Sequence, residues 1–138
     1  DADVSDAVTE KNLDETIFFA KELSAKTKAI IAITGAIDIV TDSNKAYIIR
    51  NGHQMMSKFS GTGCMLTAII AAYCAANPAN LLDATAAAVC AMGLSGELAY
   101  YKLEKYDGGT SSYRTYLIDA ISKLDAKVFE GGMKIESR

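Results

Sequence analysis

Proline occurs once in this chain of 138 residues, tryptophan is absent and histidine is single. So little proline, beside 50% hydrophobic and 22% charged residues, is the composition of a chain that buries a core, and it argues against a disordered tail. Runs of lysine or arginine are missing as well, and the formal net charge is −3. Without a cationic stripe to neutralise phosphates, no nucleic-acid partner is expected. Polar residues interrupt every apolar stretch short of the ~20 that a membrane helix needs, and no charged-then-apolar leader opens the sequence. We therefore expect no membrane segment and a cytoplasmic protein. Cysteine is scarce and odd in number: Cys64, Cys74 and Cys90 form no Cys-x-x-Cys pair, which disfavours a disulfide framework or a zinc site and favours reduced thiols. An initiator methionine is lacking too. The chain opens at Asp1, and we expect a piece of something longer whose other part carries half of the site, with residues 1–138 forming part of one domain.

What is present reads as α/β. Asn12 with Glu15 three residues on, then Leu13, Ile17 and Ala20 at helical spacing with Phe18 and Leu23 widening the apolar face, predict a helix over residues 12–26. The β-branched run Ala29 to Ile33, ending at Thr34-Gly35, has the look of a strand buried on both faces of a mainly parallel sheet. Ile37 to Val40 and Ala46 to Ile49 read as a hairpin around the turn-formers Thr41 to Asn44. A polar connection from Gly52 to Ser60 leads to Gly61-Thr62-Gly63-Cys64, which opens an apolar helix through Met65, Leu66, Ile69, Ile70 and Tyr73. An alanine-rich helix over residues 80–105, suited to close packing in a core or against another subunit, precedes Gly108-Gly109. A final amphipathic helix then runs from Tyr113 to Leu124, with a short strand near Lys134 to Glu136.

The chemistry concentrates at Ser60-Gly61-Thr62-Gly63-Cys64. Two glycines let backbone approach a ligand, and the free N–H groups of a helix start attract phosphate oxygens. Thr62, Gly63 and Cys64 would form such an anion hole; a tight turn capped by Thr62 before a core helix is the competing account of the loop taken alone. Cys64 stands in the first helical turn, a place where a thiol is poised to take a proton from a substrate hydroxyl. Cys74 and Cys90 lie on apolar helix faces and read as small buried hydrophobes.

The run from Ile33 through Thr34-Gly35 to Thr41-Asp42, then Asn51-Gly52-His53 and Met56, then Gly61-Thr62-Gly63-Cys64-Met65-Leu66-Thr67-Ala68, resembles the hydroxyethylthiazole kinase pattern in order and spacing. The resemblance covers almost the whole chain and implies the C-terminal portion of a ribokinase-like three-layer α/β sandwich, with a small sheet and several helices. It implies transfer of the ATP γ-phosphoryl group, with Mg²⁺ screening the phosphates, to the hydroxyl of 5-(2-hydroxyethyl)-4-methylthiazole in thiamine salvage. By the same resemblance Cys64 takes the catalytic place that an Asp holds across the superfamily, Thr34 touches ATP, Gly61 the substrate, and no protein metal site is implied. A homotrimer, or assembly with the missing N-terminal half, is implied as well. That half would supply a thiazole-contacting methionine segment, an acidic stretch near the phosphates and an arginine at the nucleotide. Two other readings stay open: a hydroxymethylpyrimidine or phosphomethylpyrimidine kinase, which shares a Gly-Thr-Gly-Cys loop, and a noncatalytic fragment that completes a partner's site.

One stretch departs from the family: where Gly-Pro-Gly-Ser-Phe is usual, this chain has Gly109-Thr110-Ser111-Ser112-Tyr113, and a loop of different shape is expected. Several other residues receive plain readings. His53 has no acid or cysteine nearby in sequence and reads as a turn residue. Met55 and Met56 read as gap-filling packing, and Tyr100, Tyr101 and Tyr106 as a helix surface with polar tips. Asp42 reads as a turn-former and Asp38 as a strand-edge charge.

Overall fold

Alternation at the hairpin sets the layering. In the computed structural model, which describes residues 8–138, β2 (Asp38–Thr41) and β3 (Ala46–Ile49) pair antiparallel with Ile39 opposite Ile48 and Val40 opposite Tyr47. Successive side chains of a strand point to opposite faces. Ile39, Ala46 and Ile48 therefore meet Leu13 and Ile17 of α1 (Leu13–Thr27), whereas Val40 and Ile49 meet Ala86, Val89 and Cys90 of α3 (Leu81–Lys105). The result is helix, sheet, helix, with Ile39, Val40, Ile48 and Ile49 withdrawn from water and each contributing roughly 2 kcal/mol. The connecting turn is made by Asp42, whose Oδ1 accepts the N–H groups of Asn44 and Lys45 at 2.7 and 2.8 Å. Those two bonds, Lys45's first, hold its carboxyl below the usual carboxylate range.

β1 (Ile31–Ile33) and β4 (Ile135–Ser137) complete a sheet of order β1-β2-β3-β4, antiparallel throughout. This corrects the expected interior strand of a mainly parallel sheet. β1 lies at an edge, Ala32 is exposed, and no strand covers its other side among the described residues. A β-branched run signals that a strand suits a covered position; it does not say which segment provides the cover.

A second interior lies beyond α3. Met92, Ala99 and Leu103 pack against Tyr113 and Leu117 of α4 (Thr110–Lys123), with Met55, Met56 and Phe59 around them. Tyr113 is 0% exposed, and its hydroxyl donates to the Gly96 carbonyl at 3.0 Å. Burial pushes that phenol up to about 12. In the segment that departs from the family, then, α4 starts just after Gly109 and the tyrosine anchors the helix. Thr62–Ala76 forms α2, which leans on α3 through Leu66, Ile69 and Ile70.

Several details were not anticipated. α5 (Ala126–Gly132) begins at Asp125, whose Oδ1 accepts from the Val128 N–H at 2.8 Å. The polar connection contains a short 3₁₀ helix, Gln54–Lys58. Phe18 is 70% exposed, because one residue on from Ile17 the helix has turned ~100° away from the buried stripe of Leu13, Ile17 and Ala20. α3 is long and apolar enough to cross a membrane, yet most of it is buried as a core helix. The reading of the chain's first residue lies outside the described residues.

Candidate functional site

Three chain corners and one helix meet around a cleft of about 640 Å³. The first corner, Thr34-Gly35-Ala36, follows β1 and is closed by the Gly35 N–H, which donates to Asp38 Oδ1 at 2.8 Å. The second, Asn51-Gly52-His53, follows β3. The third is the start of α2, which contributes Thr62, Gly63 and Leu66, while Val89, Met92 and Gly93 of α3 form the floor.

The glycine loop has the geometry for an acceptor-rich ligand. Gly61 is the residue before α2 and has φ +108°, a conformation that strains any L side chain. Its carbonyl accepts the Met65 N–H at 2.9 Å, the first helical bond. No side chain caps this end, so the N–H groups of the first turn keep their donor capacity. A Cβ built on Gly63 meets nothing within 4 Å, so the space beside the loop is free of protein.

Asp38 is the carboxylate of the cleft. Burial drives it up from the ordinary carboxylate value to about 6, against the opposing pull of its bond from Gly35. It is thus more than the strand-edge charge read from sequence. Asn51 is 5% exposed and uses its whole bonding capacity. Its amide nitrogen donates to the Gly132 carbonyl at 2.9 Å and Glu97 Oε1 at 3.2 Å; its Oδ1 accepts from Lys134 N at 2.7 Å and the Cys90 thiol at 3.2 Å. Glu97 also takes the Gly52 N–H at 2.9 Å and pairs with Lys134 Nζ at 2.8 Å. α3 can come this close because residue 93 is glycine: a Cβ there would stand 2.6 Å from the Asn51 carbonyl oxygen.

Of the residues singled out from sequence, Thr34, Thr62 and Gly63 line the cleft together. Gly61 and Cys64 flank the lining pair Thr62-Gly63 without lining the cleft themselves, and Cys64 is exposed. His53 both turns the chain and lines the cleft; its Nδ1 accepts the Met55 N–H at 3.1 Å. Met56 packs against the core, as expected, and also faces the cleft. Tyr101 is exposed on its helix, whereas Tyr100 stacks on His53. Cys90 is fully buried and its thiol is pushed up to about 11 by burial, which suits an inert structural group. Glu97 was missed. Its signal was there, as the one charge in the otherwise uncharged stretch from Ala84 to Tyr101. Among the described residues no group of three His, Cys, Asp or Glu could hold a metal ion.

The chain is an α/β protein with a glycine loop at an uncapped helix start that opens on a cleft between sheet and helices. The model of the Hydroxyethylthiazole kinase family matches residues 4–127. The chain is 55% identical over 137 residues to Hydroxyethylthiazole kinase of Clostridium acetobutylicum, covering 99% of this chain and 50% of that protein. With Hydroxyethylthiazole kinase of Clostridium tetani the identity is 42% over 123 residues, 89% of this chain and 44% of that one. The solved structure of hydroxyethylthiazole kinase protein from Pyrococcus horikoshii superposes with a TM-score of 0.82 at 25% identity, over 94% of this chain and 49% of its own. The chain belongs to the hydroxyethylthiazole kinase family. It spans about half the length of the curated relatives it matches.

Proposed function

We propose that this chain is the glycine-loop half of a cytoplasmic hydroxyethylthiazole kinase, the C-terminal part of one ribokinase-like domain. The complete protein transfers the ATP γ-phosphoryl group to the primary hydroxyl of 5-(2-hydroxyethyl)-4-methylthiazole. The observation that carries this reading is the joint lining of one cleft by Thr34, Thr62 and Gly63, in a chain whose relatives bear that kinase name.

Phosphoryl transfer asks chiefly for positioning and for stabilisation of charge on the moving group. The uncapped N–H groups of α2 supply donors for the phosphoryl oxygens, and the room beside Gly63 admits them. Thr34 binds the nucleotide from the opposite corner, and Gly61 holds the rim on the acceptor side. Cys64, next along the helix, orients the acceptor hydroxyl and takes its proton. Mg²⁺, when bound with ATP, would supply charge neutralisation at the phosphates. Asp38 already accepts from Gly35, and the described residues offer no three-ligand cage, so the ion would be held mainly through ATP.

The remaining half of the protein, and a trimeric assembly, complete the site. The open edge of β1 and the uncovered face of α2 favour that view over a self-sufficient chain. A coupled ADP-release assay with Mg·ATP tests it on the full-length protein. Thiazole-dependent turnover is expected; turnover only with hydroxymethylpyrimidine would replace this reading with that of the pyrimidine kinase, and silence with both would leave a noncatalytic part. Cys64→Ala should lower kcat, and Cys64→Asp should keep or raise it. Equal rates in all three would remove Cys64 from the mechanism.

A further inference from the structure

The turns at the two ends of β2 are held in different ways. At residues 42–45 the chain is tied several times over: the Asp42 N–H donates to the Lys45 carbonyl at 3.1 Å, Asp42 Oδ1 accepts from Asn44 and Lys45, and the Thr41 hydroxyl donates to the Lys45 carbonyl at 2.8 Å. At the other end, between Ile33 and Asp38, no backbone–backbone bond beyond the strand ladder spans the corner among the described residues, and Gly35 is not one of the glycines with positive φ. A Cβ built on Gly35 would stand 3.8 Å from the Ile37 carbonyl oxygen, an ordinary contact, so neither crowding nor a special backbone conformation fixes the shape there. What spans the corner is one bond, from the Gly35 N–H to Asp38 Oδ1 at 2.8 Å.

That bond acts on Thr34. The Gly35 N–H belongs to the planar peptide that also carries the Thr34 Cα and carbonyl, so holding it fixes how that plane is turned relative to β1. On its other side Thr34 follows Ile33, the last residue of β1, which is paired with Ile39. Thr34 thus sits between two fixed points, and its hydroxyl, without a partner among the described residues, lines the cleft together with Asp38 itself. Thr34, Gly35 and Ala36 are exposed, so loss of the acceptor would hand the Gly35 N–H to water and free the corner to take other shapes. Burying part of a carboxyl for one such bond is unfavourable: burial raises Asp38 to about 6, whereas Asp42, with the same task at the other turn, lies below the usual carboxylate range. Carboxyls perturbed in this way cluster where ligands bind.

We propose that Asp38 is a positioning residue for the nucleotide: by taking the Gly35 N–H it keeps the corner Thr34-Gly35-Ala36 in the shape that aims Thr34 at ATP. The inference rests on the kinase reading above and deepens its nucleotide end.

The test is steady-state kinetics of the full-length enzyme with Mg·ATP and the thiazole alcohol. Asp38→Ala should raise the ATP KM about tenfold, the worth of one hydrogen bond, and leave the thiazole KM within about twofold of wild type. Asp38→Asn keeps an oxygen at the accepting position and should restore the wild-type ATP KM. Because Asp38 acts through Thr34, combining Asp38→Ala with Thr34→Val should raise the ATP KM no further than the worse single change, whereas two independent sites would multiply their effects. Melting temperatures check the fold, and Asp38→Val, suited to the first position of a strand, replaces the alanine variant if that one fails to fold. An ATP KM unchanged by loss of the carboxyl, an asparagine variant as poor as the alanine one, an equal rise in the thiazole KM, or multiplying effects with Thr34→Val each overturn the proposal while sparing the kinase reading. Wild-type enzyme that transfers no phosphoryl group from ATP to the thiazole alcohol overturns both.

Discussion

Helices α2 and α3 are alike in composition and opposite in surroundings. Both are rich in alanine and aliphatic residues, with Cys64 and Cys74 in α2 and Cys90 in α3. α3 lies between the sheet and α4, and residues such as Ala88, Val89 and Cys90 have almost no contact with water. α2 touches α3 along one side, and none of its residues is buried; Ala68, Ala71, Ala72, Ala75 and Ala76 form an exposed flank. The lesson is that an apolar helix announces a need for cover without naming its source. β1, with its bare edge, and α1, with Phe18 and Phe19 exposed, repeat the pattern. All three leave apolar surface or backbone edge uncovered among the described residues, the surfaces that the proposed remaining half of the protein would cover.

Four changes would break or sharpen that contrast. The largest effect is expected from Ala88→Lys, which places an unpaired charge in the middle of α3 and should cost more than about 4 kcal/mol in urea unfolding of the chain. Gly93→Ala comes next, at about 2–3 kcal/mol, because its methyl group would collide with backbone at Asn51 rather than with a flexible side-chain end.

Asp38→Asn probes the cleft that separates the start of α2 from the sheet, and it should stabilise. The wild-type carboxyl has a folded value of about 6, above its ordinary 3.8, so the fold favours the neutral form. Its contribution is therefore most favourable below pH ~4, is lost as pH rises through about 6, and stays unfavourable above that. The asparagine variant should gain on the order of 1–3 kcal/mol over wild type at pH 7.5 and almost nothing at pH 4. An equal gain at both pH values would show that the effect is not ionisation. The smallest effect belongs to Ala72→Lys on the bare flank of α2, within about 0.5 kcal/mol in this chain. A large loss in the full-length protein from the same substitution would show that the flank is covered there.

The sequence was a good guide wherever local pattern decides local structure. The hairpin at residues 38–49, the helix starting at Leu13 and the long helix from Leu81 to Lys105 follow from alternation, three-and-four spacing and the turn chemistry of Asp42. The glycine loop was legible for the same reason, since a glycine at φ +108° before an apolar helix is a local device. α5 was not, because seven residues with one capping aspartate carry too little periodicity to stand out.

What the amino-acid order determined by itself is therefore the long helices, the hairpin and the glycine loop that precedes α2. Tertiary structure alone decided which apolar surfaces found cover, that β1 is an antiparallel edge, and that residues as distant in the chain as Asn51, Glu97 and Lys134 share one hydrogen-bond network behind the cleft. The reason is physical. Helix periodicity, turns and caps are set by neighbours a few residues away, whereas burial and the shift of Asp38 depend on groups that meet only when the chain has closed on itself.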